Sequence, residues 1–157
     1  MSRAIEKAGG IPNQFTGDGI MALFGVETGP AKGCRDAIAA AKSMVRELAA
    51  LSLALADELA EPLLMGIGLH AGPAIVGRMG HGVAMYLTAV GDTVNVASRL
   101  QDLTKQYQCQ LVISEATAQR ADLDVTGFSR YDLTVRNRSE PVAIRTIDDL
   151  DKLARQF

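Results

Sequence analysis

At 157 residues, 48% hydrophobic and 22% charged, the chain has the composition of one globular domain rather than of a disordered segment. Its formal net charge of −2 offers no whole-chain electrostatic case for nucleic acid or an anionic membrane. No apolar run is long enough to span a bilayer. Cys34 and Cys109 lack metal-ligand spacing and suit a reducing cytoplasm, the expected location.

In chain order, Met1 to Ala8 reads as the end of a helix stopped by Gly9 and Gly10. Ile11 to Phe15 and Ile20 to Phe24 are expected strands joined through Thr16-Gly17-Asp18-Gly19, where an Asp-Gly pair tolerates the positive φ angles of a tight hairpin. On local sequence alone Asp18 is a turn former. After a loop at residues 27–30, a long helix from Ala31 carries Cys34, Ile38, Ala41, Val45 and Leu48 on one stripe. It continues, or bends into a second short helix, over Ser52 to Ala60, and Pro62 ends it. Leu63 to His70 is an expected strand running into Ala71-Gly72-Pro73. His70 has no carboxylate or cysteine near it in sequence and reads as structural. A mobile loop is expected over Arg78 to Gly82, then a strand over Val83 to Val90.

Gly91 to Leu100 reads as a turn entering a helix, with Asp92 or Thr93 as its N-cap. Val96, Leu100, Leu103 and Tyr107 draw one apolar stripe along that helix. Asn95 and Arg99, spaced i and i+4, lie beside the stripe and reach toward a common point. A carboxamide and a guanidinium placed so could hold a ribose and a phosphate, although an ordinary amphipathic helix would also carry polar residues there. Beyond it, Gln110 to Ser114 is an expected buried strand and Glu115 to Ala121 a short helix. Phe128 to Val135 and Val142 to Ile147 form a hairpin across a turn holding Arg136 and Arg138. The tail from Asp148 to Phe157 is an expected terminal helix.

The line from Tyr86 to Leu100, YLTAVGDTVNVASRL, strongly resembles the signature of class III nucleotidyl cyclase catalytic domains. Gln14 to Gly25, QFTGDGIMALFG, resembles their metal-binding hairpin, and Gly66 to Gly72, GIGLHAG, their central strand. These motifs occur in the family's order from about Ala8 to Ile147. The resemblance implies an α+β, ferredoxin-like βαββαβ core: a mixed, mostly antiparallel sheet with helices on one face. It implies an adenylate cyclase that joins the ribose 3′-oxygen of ATP to its own α-phosphorus and releases pyrophosphate. Two Mg²⁺ or Mn²⁺ ions would serve each site. By the same resemblance Asp18 is a metal ligand, Asn95 positions the ribose and Arg99 stabilises the transition state. Arg136 meets the terminal phosphates, with Arg138 as the alternative. The sites form between the subunits of a head-to-tail homodimer.

Base choice, still by resemblance, falls on Gln14 and Thr88. Thr88 matches one adenylyl subgroup, whereas Gln14 matches neither the usual adenylyl lysine nor the guanylyl glutamate. A glutamine amide can donate to adenine or accept from guanine by flipping, so ATP is favoured over GTP by a modest margin. The family's first strand, with a second metal aspartate, has no counterpart among the seventeen residues before Asp18, where Glu6 is the sole acidic one. The expectation is therefore a single catalytic domain over residues 1–157, truncated at its N-terminus, inactive by itself and with open strand edges. The parent's regulatory domains are unknown. The rival readings are a non-catalytic nucleotide-binding or dimerisation module and a guanylyl cyclase. No nucleic acid or membrane contact is expected from this segment.

Overall fold

Strict alternation of apolar side chains in two short strands decides how the layers stack. The computed structural model of the chain describes residues 1–81, 84–135 and 140–153. Its helices are α1 (Ser2–Lys7), α2 (Pro30–Ala54), α3 (Asp92–Tyr107) and α4 (Glu115–Ala121). Its strands are β1 (Ile11–Thr16), β2 (Gly19–Leu23), β3 (Ile67–Leu69), β4 (Ile75–His81), β5 (Ala84–Val90), β6 (Leu111–Ser114), β7 (Ser129–Leu133) and β8 (Val142–Ile147). The central sheet has the order β3-β6-β8-β7, parallel only between β3 and β6.

Leu111, Ile113 and Ile147 project from one face of this sheet into a core shared with Cys34, Ile38 and Ala41 of α2 and Ala118 and Ala121 of α4. Val112, Val142 and Ile144 project from the other face against Val96 and Leu100 of α3. Period two in the strands meets period 3.6 in the helices on both sides. Each fully buried Leu, Ile or Val contributes about 1.5–3 kcal/mol. The sheet is thus covered on both faces, not on one as the family resemblance implied.

The remaining strands form two separate antiparallel pairs, β1-β2 and β4-β5. Among the described residues β2 pairs only with β1 and β3 only with β6, so each keeps an open edge. Several boundaries differ from expectation. The segment over residues 78–82, expected as a mobile loop, belongs to β4 as far as His81, in register with β5 through Arg78 opposite Leu87. Its glycines suggest a turn, but cross-strand pairing overrides that local preference. The strand expected over Leu63 to His70 is confined to Ile67–Leu69, because parallel pairing with β6 extends only that far. The tail holds one 3-10 turn at Leu150–Lys152, where Asp149 caps the amide of Asp151 at 2.9 Å. The helix expected there is not formed over residues 148–153.

Candidate active site

The site is built around α3, and glycine decides how closely that helix can approach. A Cβ on Gly68 would collide with the Ala97 carbonyl and the Gln101 amide, and one on Gly66 with the Thr104 side chain. With only hydrogens there, α3 lies directly on β3 while Val96 and Leu100 are wholly buried. The opposite flank of the helix carries Asn95 and Arg99, both exposed. Arg99 reaches the carbonyl of Thr134 at 3.5 Å, at the limit of a hydrogen bond, so its guanidinium is only lightly held. Thr134 stands two residues ahead of Arg136. Arg136 and Arg138 themselves lie outside the described residues.

The entry to α3 differs from the expected cap. The N-cap position is Gly91, at φ +147°, and neither Asp92 nor Thr93 fills that role. Thr93 instead donates its hydroxyl to the Pro73 carbonyl at 2.5 Å, tying the turn after β3 to the first turn of the helix. His70, directly after β3, meets the Ser114 hydroxyl at 2.9 Å, and Ser114 meets Thr117 at 2.8 Å. This chain of contacts joins β3, β6 and α4 and agrees with a structural role for His70.

Asp18 sits at the exposed tip of the β1-β2 hairpin. The turn has Gly17 and Asp18 as its central residues, between Thr16 and Gly19, and only Gly17 has positive φ, +63°. The conformational freedom therefore falls on Gly17 and not on the Asp-Gly pair, leaving the Asp18 carboxylate free of a turn-forming duty. Among the described residues there is no group of three or more His, Cys, Asp or Glu side chains able to hold a metal ion. A lone exposed carboxylate does not make a two-ion site.

The two base-reading candidates come from different strand pairs. Gln14 is exposed on β1, directly after an irregularity at which β1 has one more residue than β2: Pro12 faces Ala22 and Gln14 faces Met21, leaving Asn13 over. Thr88 on β5 faces Gly77, and a Cβ at Gly77 would meet nothing within 4 Å, so the space beside Thr88 is open. Asn13 bridges the two pairs by donating its side-chain amide to the Leu87 carbonyl. Reading the sequence alone passes over Asn13 and treats Gly66 and Gly68 merely as small residues. The one signal for Asn13 is its place directly after Pro12, which cannot donate to a ladder and, within a strand, favours a bulge.

The family model described as "Adenylate and Guanylate cyclase catalytic domain" matches residues 5–146. The chain belongs to that family. Over 121 residues this cyclase domain is 37% identical to an adenylate cyclase of Anabaena cylindrica, a match covering 74% of the chain and 23% of the relative. It is 31% identical over 151 residues to the terminal-differentiation-specific adenylate cyclase of Dictyostelium discoideum, covering 93% of the chain and 7% of that protein. The chain thus spans less than a quarter of either relative. Its fold matches the crystal structure of the guanylyl cyclase Cya2 at a TM-score of 0.81, with 25% identity, covering 99% of this chain and 77% of that one. The adenylyl cyclase CyaB from P. aeruginosa matches at 0.69 with 28% identity, covering 94% and 76%. No helix among the described residues is long and apolar enough to cross a membrane.

Proposed function

We propose that the protein to which this cyclase domain belongs converts ATP to cyclic AMP and pyrophosphate, with the domain acting as one subunit of a head-to-tail homodimer. The observation that carries the reading is the exposed pair Asn95 and Arg99 on a helix whose other flank lies closely against β3 and the residue before it, an approach that Gly66 and Gly68 permit. A helix seated closely on the sheet with two exposed polar side chains can orient substrate with little reorganisation, and preorganised charge is the largest single resource for stabilising a phosphoryl-transfer transition state. Asn95 is assigned to the ribose, keeping the 3′-hydroxyl in line with the α-phosphorus. Arg99 is assigned to the charge that develops on the phosphoryl oxygens. Arg136, with Arg138 as the alternative, is assigned to the terminal phosphates.

Asp18 is proposed as one carboxylate of a Mg²⁺ or Mn²⁺ site, its further ligands lying beyond the described residues of a single copy. ATP is preferred to GTP on Thr88, with Gln14 compatible with either base. The dimer rests on the family and on the apolar face of the β4-β5 pair, where Ile75 (73% exposed) stands opposite Val90 (48% exposed).

The test is turnover of ATP and of GTP by the full-length protein, wild type and Arg99→Ala. If Arg99 acts mainly on the transition state, the substitution lowers kcat by about 10² or more, comparable with losing one preorganised donor. An unchanged kcat removes Arg99 from the mechanism. The rival, a cyclase-like module that binds nucleotide without turning it over, draws on the lack of a metal-capable cluster among the described residues. Nucleotide binding without cyclic product from the full-length protein, at saturating Mn²⁺, would establish that rival.

A further inference from the structure

Asn13 is the residue of β1 that has no place in the β1-β2 ladder. The register passes from Pro12 opposite Ala22 to Gln14 opposite Met21, so Asn13 is the extra residue of a bulge. Its part-buried side chain donates to the Leu87 carbonyl of β5, seventy-four positions along the chain. Since β1 and β5 belong to separate hydrogen-bonded pairs, this bond is a direct polar link between them. Its two ends are immediate chain neighbours of the two base-reading candidates: Gln14 follows Asn13, and Thr88 follows Leu87. The bulge adds a second effect. Side chains in a strand alternate with period two, so one extra residue inverts the face taken by the next side chain, here Gln14.

We propose that Asn13 is a positioning residue for base recognition, its side-chain amide fastening β1 to β5 and so setting Gln14 and Thr88 at the separation one purine requires. The inference rests on the assignment of Gln14 and Thr88 to the purine pocket and goes beyond it, because Asn13 acts through its neighbours and is assigned no contact with substrate. The donor is what matters. An aspartate of the same size would place a carboxylate against the Leu87 carbonyl and push the strands apart, while alanine would release them.

The experiment measures kcat and KM with ATP and with GTP for the full-length protein carrying Asn13→Asp, Asn13→Ala, Gln14→Lys, Thr88→Ala and the double change of Asn13→Ala with Gln14→Lys. Loss of one hydrogen bond of ordinary strength corresponds to about a fivefold change in affinity. KM for ATP should therefore rise about fivefold in Asn13→Ala and further in Asn13→Asp, with kcat within about twofold of wild type. The ratio of kcat/KM for ATP to that for GTP should move toward one. In the double variant Gln14→Lys should shift that ratio less than it does alone, since the lysine is no longer held at the base. If Gln14→Lys or Thr88→Ala alters the ratio while both Asn13 variants leave it unchanged, Asn13 is a structural tie only and the proposal is overturned. A lowered melting temperature with an unmoved ratio overturns it in the same way. If neither Gln14→Lys nor Thr88→Ala moves the ratio, the purine-pocket assignment fails, and with it this inference. Should Asn13→Asp not fold, Asn13→Ala and the double variant decide the matter alone.

Discussion

Gln14, the proposed base reader, carries an amide able to pair with either purine, and its exposed position on β1 leaves room to exchange it. Gln14→Lys should raise the preference for ATP, because a fixed donor cannot satisfy the guanine N1–H. Competition between the two nucleotides in one reaction reads this directly. A ratio that stays put would remove Gln14 from the base site. The two thiols give a second residue-scale expectation. Burial raises the pKa of Cys34 and of Cys109 above the ordinary thiol value of 9.0. In each case the folded pKa exceeds the unfolded one, so the stabilisation is complete below about pH 9 and is lost as pH rises through the folded value. Urea unfolding at pH 8 and pH 10 should show less stability at the higher pH, and Cys34→Ala should reduce that difference. An unaltered difference would locate the alkaline loss in other groups.

The element that matters most is α3, and its seat on β3 admits no side chain at Gly68. Gly68→Ala should cost about 1–3 kcal/mol, the usual penalty for overpacking, because the colliding atoms are backbone and cannot swing aside. For a domain of this size that is a fall of roughly 2–12 °C in Tm, readable by calorimetry. The same change displaces Asn95 and Arg99 together, so turnover should fall more steeply than stability does. A variant with full activity and an unchanged Tm would mean that α3 is not held by this contact. Secondary structure within these elements was largely legible from pattern. The α3 stripe of Val96, Leu100, Leu103 and Tyr107 packs as the 3.6-residue spacing requires, and Glu115–Ala121 is a helix over the expected residues. The cap of α3 was not legible, since the helix begins directly after Gly91, which places Asp92 and Thr93 inside its first turn, and the Thr93 hydroxyl donates to a carbonyl twenty residues away.

At the scale of the molecule, the β4-β5 pair presents Ile75, Met79 and Val90 to solvent, a set of large apolar groups that association would cover. On the proposed dimer, Ile75→Lys should shift the full-length protein toward monomer in sedimentation equilibrium and lower turnover in parallel, because the proposed shared sites would vanish with the dimer. Full activity in a demonstrated monomer would refute the shared site.

Motif resemblance pointed to the family, and local pattern was enough for the order of most elements and for placing Asn95 and Arg99 on one helix, because turns and hydrophobic period are written in neighbouring positions. Asp18 was recognisable at a hairpin tip for the same reason. Three features were decided only in the tertiary structure. The helices cover both faces of the central sheet because Val112 and Ile113, adjacent in the chain, feed opposite cores. Residues 78–81 are strand and not loop because β5 supplies their hydrogen-bond partners. Asn13 joins β1 to β5 across seventy-four positions, a contact no local spacing encodes, since it depends on where two separate hairpins come to rest against each other.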